Sequence, residues 1–219
     1  MIKAVVFDFD GLILDTETPW YDAFSEIYKE HGAELPIELW GLGVGTSSEH
    51  FDPYAYLAEC TGSEVDKKQI DELFWVKHGK LMESEKVRPG VVEYLRDARK
   101  LGLRIGLASS SPRSWIEKYL RQHGLFEWFE VIKTADDVSR IKPDPELYTA
   151  AAAELGVKPE EAVAFEDSPN GTRAAKSAGM YCVIVPNRLT SMLTFDEYDL
   201  RISSMAELPL AEVMGRFGN

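Results

Sequence analysis

The stretch Ala4-Val5-Val6-Phe7-Asp8-Phe9-Asp10-Gly11 constrains the fold of this chain more than any other. Val5, Val6 and Phe7 form an unbroken apolar run, the pattern of a strand covered on both faces, which predicts an interior strand of a parallel sheet. Two carboxylates and a glycine follow at its carboxyl end. Side chains two apart on a strand point the same way, so the spacing predicts that Asp8 and Asp10 converge above the sheet. A divalent cation would relieve their repulsion, and hard oxygen ligands suit magnesium, which keeps waters and binds phosphate oxygens. A carboxylate can also act as a nucleophile that takes a phosphoryl group and passes it to water.

Similar apolar runs recur at residues 103–108, 129–132, 162–165 and 181–185, with a weaker one at 200–202. Helical spacing falls between them: Val91, Tyr94, Leu95, Ala98 and Leu101, then Leu147, Tyr148, Ala151, Ala152 and Leu155. This alternation predicts an α/β fold with a doubly wound, Rossmann-like parallel sheet, whose ligands sit at the carboxyl ends of its strands. From Thr16 onward the strand pattern disappears until Lys86. Trp20, Ala23, Phe24, Ile27, Tyr28 and His31 follow helical spacing, as do Ile70, Leu73, Phe74, Lys77 and Leu81. Residues 16–86 therefore read as a small helical cap inserted into an α/β core of residues 1–15 and 87–219, a division that suits 219 residues.

Three more predicted elements carry chemistry. The run ending at Ala108 is followed by Ser109, Ser110 and Ser111, whose hydroxyls and backbone N–H groups can donate to phosphate oxygens; Ser111 and Pro112 also read as N-cap and first residue of a helix through Trp115, Ile116 and Tyr119. Lys142 precedes Asp144 and Pro145, a helix start that restrains the backbone beside its ammonium. The run ending at Phe165 terminates in Glu166 and Asp167, with Asp167 or Ser168 as cap of the helix of Ala174, Ala175 and Ala178. Gly41-Leu42-Gly43-Val44-Gly45-Thr46 lacks the Gly-Lys-Ser/Thr ending of a P-loop and reads as a cap loop. His31, His50, His78 and His123 show no metal-binding spacing, and no Gly-x-Ser-x-Gly elbow occurs.

The string Asp8-Phe9-Asp10-Gly11-Leu12-Ile13-Leu14-Asp15-Thr16 resembles the first motif of the haloacid dehalogenase-like superfamily, DxDGxxxDS/T, in the form of its phosphotransferase branch. Ser109, the Lys142-Pro143-Asp144-Pro145 string and the Glu166-Asp167 pair resemble the second, third and fourth motifs in order. The resemblance implies a magnesium-dependent phosphatase that hydrolyses small phosphomonoesters, sugar or sugar-alcohol phosphates among them, through a phosphoaspartate. It makes Asp8 the nucleophile and Asp10 the general acid and base. Ser109 would hold the phosphoryl group by its hydroxyl and Ser110 by its backbone N–H, with Lys142 spreading charge. Magnesium would be held by Asp8, Asp167 and the carbonyl oxygen of Asp10, with Glu166 acting through a metal-bound water.

The segment from Asp15 to Trp20 looks like that of hexitol and deoxyhexose phosphate phosphatases, which puts Thr16 and Trp20 at the substrate; the helical spacing of Trp20 equally allows core packing. A mutase resembling β-phosphoglucomutase is the nearest alternative. That family has a histidine where this chain has Trp20 and an arginine in the cap, whereas no arginine occurs between positions 17 and 85, and these departures favour hydrolysis. A catalytically silent sugar-phosphate binder or interaction protein is a third reading, against which every expected residue type is present.

The formal charge of -13 argues against nucleic acid and leaves a small phosphorylated metabolite as the expected partner. Cys60 and Cys182 form no disulfide or zinc pattern. Met1-Ile2-Lys3 runs straight into the first strand, and no apolar run reaches membrane length, so the expectation is a cytoplasmic protein with no signal peptide and no membrane contact. Monomer and weak dimer both remain open.

Overall fold

The computed structural model describes residues 1–41 and 51–217; the glycine-rich run from Leu42 to Thr46 lies outside the described residues. Six strands form one parallel sheet: β1 (Ala4–Phe7), β2 (Arg104–Ala108), β3 (Val131–Lys133), β4 (Ala162–Glu166), β5 (Tyr181–Ile184) and β6 (Leu200–Arg201). Their order is β3-β2-β1-β4-β5-β6, the doubly wound arrangement expected from the sequence. The chain moves outward from β1 on one side, then returns to build the other. The order thus reverses between β1 and β4, and in such sheets ligands bind in the crevice beyond the carboxyl ends at that point.

Alternate residues of the strands serve the two faces. Val5, Phe7, Ile105, Leu107, Val163, Phe165 and Val183 share one apolar cluster, and Ala4, Val6, Ala108, Ala162, Ala164, Cys182 and Ile184 share another. The unbroken apolar run of β1 is explained by this double burial. Phe7 and Phe165 stack with ring centroids 5.1 Å apart, tying β1 to β4 directly beneath the reversal point. Each such buried side chain contributes about 1.5–3 kcal/mol.

Among the described residues, four helices lie between β1 and the next core helix: α1 (Glu17–Glu30), α2 (Ile37–Gly41), α3 (Pro53–Thr61) and α4 (Lys67–Ser84). They build an apolar cluster of their own, in which Phe24 and Ile27 of α1 meet Ile70 and Phe74 of α4. Leu189, from the segment after β5, is buried in the same cluster, and Arg188 faces Asp22 of α1 at 3.6 Å. Among the described residues no helix is long and apolar enough to cross a membrane.

The remaining helices are α5 (Val91–Lys100), α6 (Arg113–Gln122), α7 (Glu146–Glu154), α8 (Pro169–Ser177) and α9 (Leu210–Met214). Their starts test the expected caps. Ser168 caps α8 by accepting from the Gly171 N–H at 3.1 Å, with Pro169 first in the helix. Asp144 accepts from the Glu146 N–H at 3.1 Å, and Pro145 stands one position before α7 rather than within it. Ser111 does not cap α6. The Arg113 N–H instead donates to Asp136, remote in sequence, at 2.9 Å, which frees the Ser111 hydroxyl for Asp10.

Candidate active site

Asp8 is the first residue beyond β1, and its N–H still follows the sheet ladder to Phe165 O at 3.0 Å. Its carboxylate accepts a hydrogen bond from Lys142 Nζ. The same ammonium donates to Glu166 Oε1 at 2.7 Å and to Ala108 O at 2.8 Å, so one lysine joins the ends of β1, β2 and β4. Its side chain is only 6% exposed. Glu166 is fully buried and saturated: Tyr148 donates to Oε1 at 2.6 Å, and Oε2 accepts from Asp167 N–H, Ser168 N–H and Ser168 Oγ. A Cβ at Gly171 would fall 1.9 Å from Glu166 Oε1, so only glycine lets the first turn of α8 approach this carboxylate.

Asp167 accepts from Asn187 Nδ2 at 2.8 Å and from Thr190 Oγ1 at 3.5 Å. Gly11 turns the chain away from β1 with φ of 81°, and a Cβ there would lie 2.2 Å from Asp167 Oδ2. Conformation and space both demand glycine. Arg88 secures this corner by donating to the carbonyls of Gly11, Val185 and Pro186.

Asp8, Glu166 and Asp167 place ligand oxygens within 4.8 Å of one another. Burial pushes Asp8 and Asp167 well above the ordinary carboxylate range; Lys142 opposes the rise at Asp8, and Asp8 and Glu166 add to it at Asp167. Burial also pulls the Lys142 ammonium down, but its two carboxylate neighbours outweigh this and hold it above its usual range. One ammonium against three buried carboxylates leaves an excess of negative charge among hard oxygen donors. That donor set fits a divalent cation such as magnesium.

Asp10 has its own set of partners in the same pocket as Asp8. Its Oδ1 accepts from Thr16 Oγ1 at 3.2 Å and Trp115 Nε1 at 2.9 Å, and its Oδ2 from Ser109 Oγ at 3.1 Å and Ser111 Oγ at 2.7 Å. Both aspartates lie just beyond β1, which stops at Phe7. Asp8, Asp10, Thr16, Trp20, Ser109, Ser110, Lys142 and Asp167 all line one pocket of about 1020 Å3, with Glu166 behind it. Ser110 Oγ is buried there without a partner among the described residues. Trp20 reconciles its two readings, since it packs on Phe74 at 4.6 Å and also lines the pocket.

A family model for haloacid dehalogenase-like hydrolases matches residues 2–179. The chain belongs to that family.

This hydrolase is 56% identical over 211 residues to the protein YhcW of Bacillus subtilis (strain 168), across 96% of each chain. It is 32% identical over 222 residues to hexitol phosphatase B of Escherichia coli (strain K12), across 98% of this chain and 97% of that one. The solved structure of a HAD family hydrolase from Deinococcus radiodurans R1, with bound phosphate and sodium, matches with a TM-score of 0.80 at 28% identity, covering 99% of this chain and 97% of the other. The hydrolase is an enzyme of the family's phosphatase branch.

Several site residues of this hydrolase escape the sequence reading. Asn187 follows the apolar run of β5, so the strand-end rule applied once more would have found it. Tyr148 and Trp115 carry no such signal, because each satisfies a helical apolar pattern while its polar tip reaches a remote carboxylate. Glu17 is the most informative of the group. It lines the pocket, and burial, together with Asp10 and Asp15, pushes its carboxyl up to about 7.

The sign of that shift gives a prediction. Above neutral pH an ionised Glu17 adds a negative charge beside any phosphate dianion, and below it the charge is gone. Glu17→Gln should therefore tighten competitive inhibition by inorganic phosphate about 3–10-fold at pH 8.5 and leave it near the parental value at about pH 5.5. The ratio of the two proteins' inhibition constants cancels the ionisation of phosphate itself. A ratio that does not change with pH would contradict the assignment.

Proposed function

We propose that this hydrolase is a magnesium-dependent phosphatase of small sugar or sugar-alcohol phosphates, working through a phosphoaspartate on Asp8. The observation that carries the reading is the buried Lys142 joined to both Asp8 and Glu166, with Asp167 alongside, at the point where the strand order reverses. Hexitol phosphatase B, similar over nearly its whole length, supports the substrate class. So do Trp20 and Trp75 on the pocket wall, since indole faces suit the apolar faces of a polyol.

In this mechanism an Asp8 oxygen attacks phosphorus in line while Asp10 protonates the leaving ester oxygen. Asp10 then takes a proton from the water that attacks the phosphoaspartate, and Asp8 is released as a carboxylate. Ser109 and the Ser110 backbone N–H hold the phosphoryl oxygens, and Lys142 stays fixed to neutralise charge throughout. Asp8, Asp167 and the Asp10 carbonyl would hold magnesium, with Glu166 acting from outside. When bound, the ion supplies further neutralisation of the transferring group. Residues 16–86 act as a cap that excludes bulk water from the first step, over a core of residues 1–15 and 87–219. Free Cys60 and Cys182 suit a reducing cytoplasm.

Phosphate release from hexose, hexitol, glycolate and nucleoside monophosphates, measured with magnesium and with EDTA, tests the reading. The expected result is turnover of hexose or hexitol phosphates that EDTA lowers by about 100-fold or more. Magnesium at about 100 times its dissociation constant should also add about 2.7 kcal/mol of stability, a rise of roughly 5–10 °C in Tm. Turnover indifferent to EDTA, or confined to nucleotides, would overturn it.

A further inference from the structure

The four donors that surround Asp10 are not equivalent. Thr16, Ser109 and Ser111 present hydroxyls, which can donate or accept and so adapt to a carboxylate or a carboxylic acid. Trp115 presents an indole N–H, which can only donate. The oxygen that faces it, Oδ1 at 2.9 Å, cannot carry a proton toward the indole without losing that bond.

We propose that Trp115 is a positioning residue for the phosphoryl transfer: its N–H pins Asp10 by Oδ1 and leaves Oδ2 as the oxygen that delivers and recovers the proton. Oδ2 lies on the side of Ser109, next in the chain to Ala108, whose carbonyl accepts from the Lys142 ammonium that also holds Asp8. As the Asp8–phosphorus bond forms and the ester P–O bond breaks, the leaving oxygen takes the Oδ2 proton. As water attacks phosphorus and the Asp8–phosphorus bond breaks, a water proton returns to Oδ2.

The indole is itself held from two directions. Tyr119 of α6 meets it edge to face at 4.6 Å. From the helical insert, His78 lies nearly parallel to it, with ring centroids 6.3 Å apart at 19°, and the same imidazole packs on Trp20 and Phe74. The direction of the N–H is therefore set partly by how the insert is seated, so Trp115 links the acid of the core to His78 of the insert, beside the direct bond from Thr16.

The inference rests on the role proposed for Asp10, and a leaving-group series separates the two. The measurement is kcat/KM on aryl phosphates from p-nitrophenyl phosphate, whose leaving group needs little protonation, to phenyl phosphate, whose leaving group needs more. It is made on Trp115→Phe, on Asp10→Asn, and on a protein with 3-benzothienylalanine at position 115, which keeps the ring shape and removes only the N–H. Both Trp115 replacements should lose about tenfold on phenyl phosphate and no more than about twofold on p-nitrophenyl phosphate, with KM little changed. Asp10→Asn should show the same trend more steeply. An equal loss on every substrate, or none in the benzothienylalanine protein, overturns the Trp115 inference. A flat series for Asp10→Asn overturns the role of Asp10 itself.

Discussion

Asp8→Asn should lower turnover by about 10⁴-fold or more while making the metal-free protein more stable. The first effect is loss of the nucleophile proposed above. The second follows from charge, since burial raises the Asp8 carboxyl well above its ordinary range, with Glu166 and Asp10 adding to the rise. A carboxyl whose folded pKa is raised makes the fold progressively less stable as pH climbs above its unfolded value near 4. Asparagine has nearly the same shape and no charge, so the gain should be about 1–3 kcal/mol at pH 8 and nothing at about pH 3. Urea unfolding in EDTA at the two pH values measures it. Magnesium should then stabilise the variant less than the parent, because one ligand charge is gone. Retained phosphate release in a clean preparation, or a variant weaker than the parent at pH 8 in EDTA, would remove Asp8 from its assigned place.

Lys142→Met should be the most destabilising single change at the site, by about 3–5 kcal/mol near pH 7.5. The methionine fills much the same volume, but it leaves Asp8 and Glu166 facing one another in a buried space with no cation between them. The raised pKa of Lys142 means its contribution is fully present at neutral pH and disappears only as pH rises through its folded pKa. In the variant the penalty should instead shrink toward pH 5, as Asp8 takes up a proton. The double change with Asp8→Asn should recover a large part of the loss, and a double-mutant cycle on urea midpoints reads that coupling directly. A loss below about 1 kcal/mol, or one independent of pH, would mean that the ammonium is not the counter-charge of these two acids.

The parallel sheet was legible because β1, β2 and β4 are buried on both faces and advertise it as unbroken apolar runs ending in polar residues. Asp8, Glu166 and Asp167 meet at the reversal point between β1 and β4 because strand ends converge there, and Lys142 joins them from the segment before α7. Local rules failed where a distant partner competed. Ser111 has the sequence of an N-cap, yet Asp10 takes its hydroxyl and Asp136 serves the helix. The two-residue spacing brings Asp8 and Asp10 to one pocket, but it carries no sign that two serines and Trp115 would hold the second carboxylate. Nothing in the helical spacing of Trp115, Ile116 and Tyr119 distinguishes an indole that fills the core from one whose N–H holds an acid.

The segment from Asn187 to Thr190 serves two masters. Asn187 and Thr190 reach Asp167, while Leu189 between them is buried among the helices of the insert and Arg188 meets Asp22. The seating of these helices and the support of Asp167 are therefore tied to one short segment. A transplant of α1 to α4 from a relative has to bring a matching 187–190 with it, or the donors to Asp167 sit on a loop that has lost its seat.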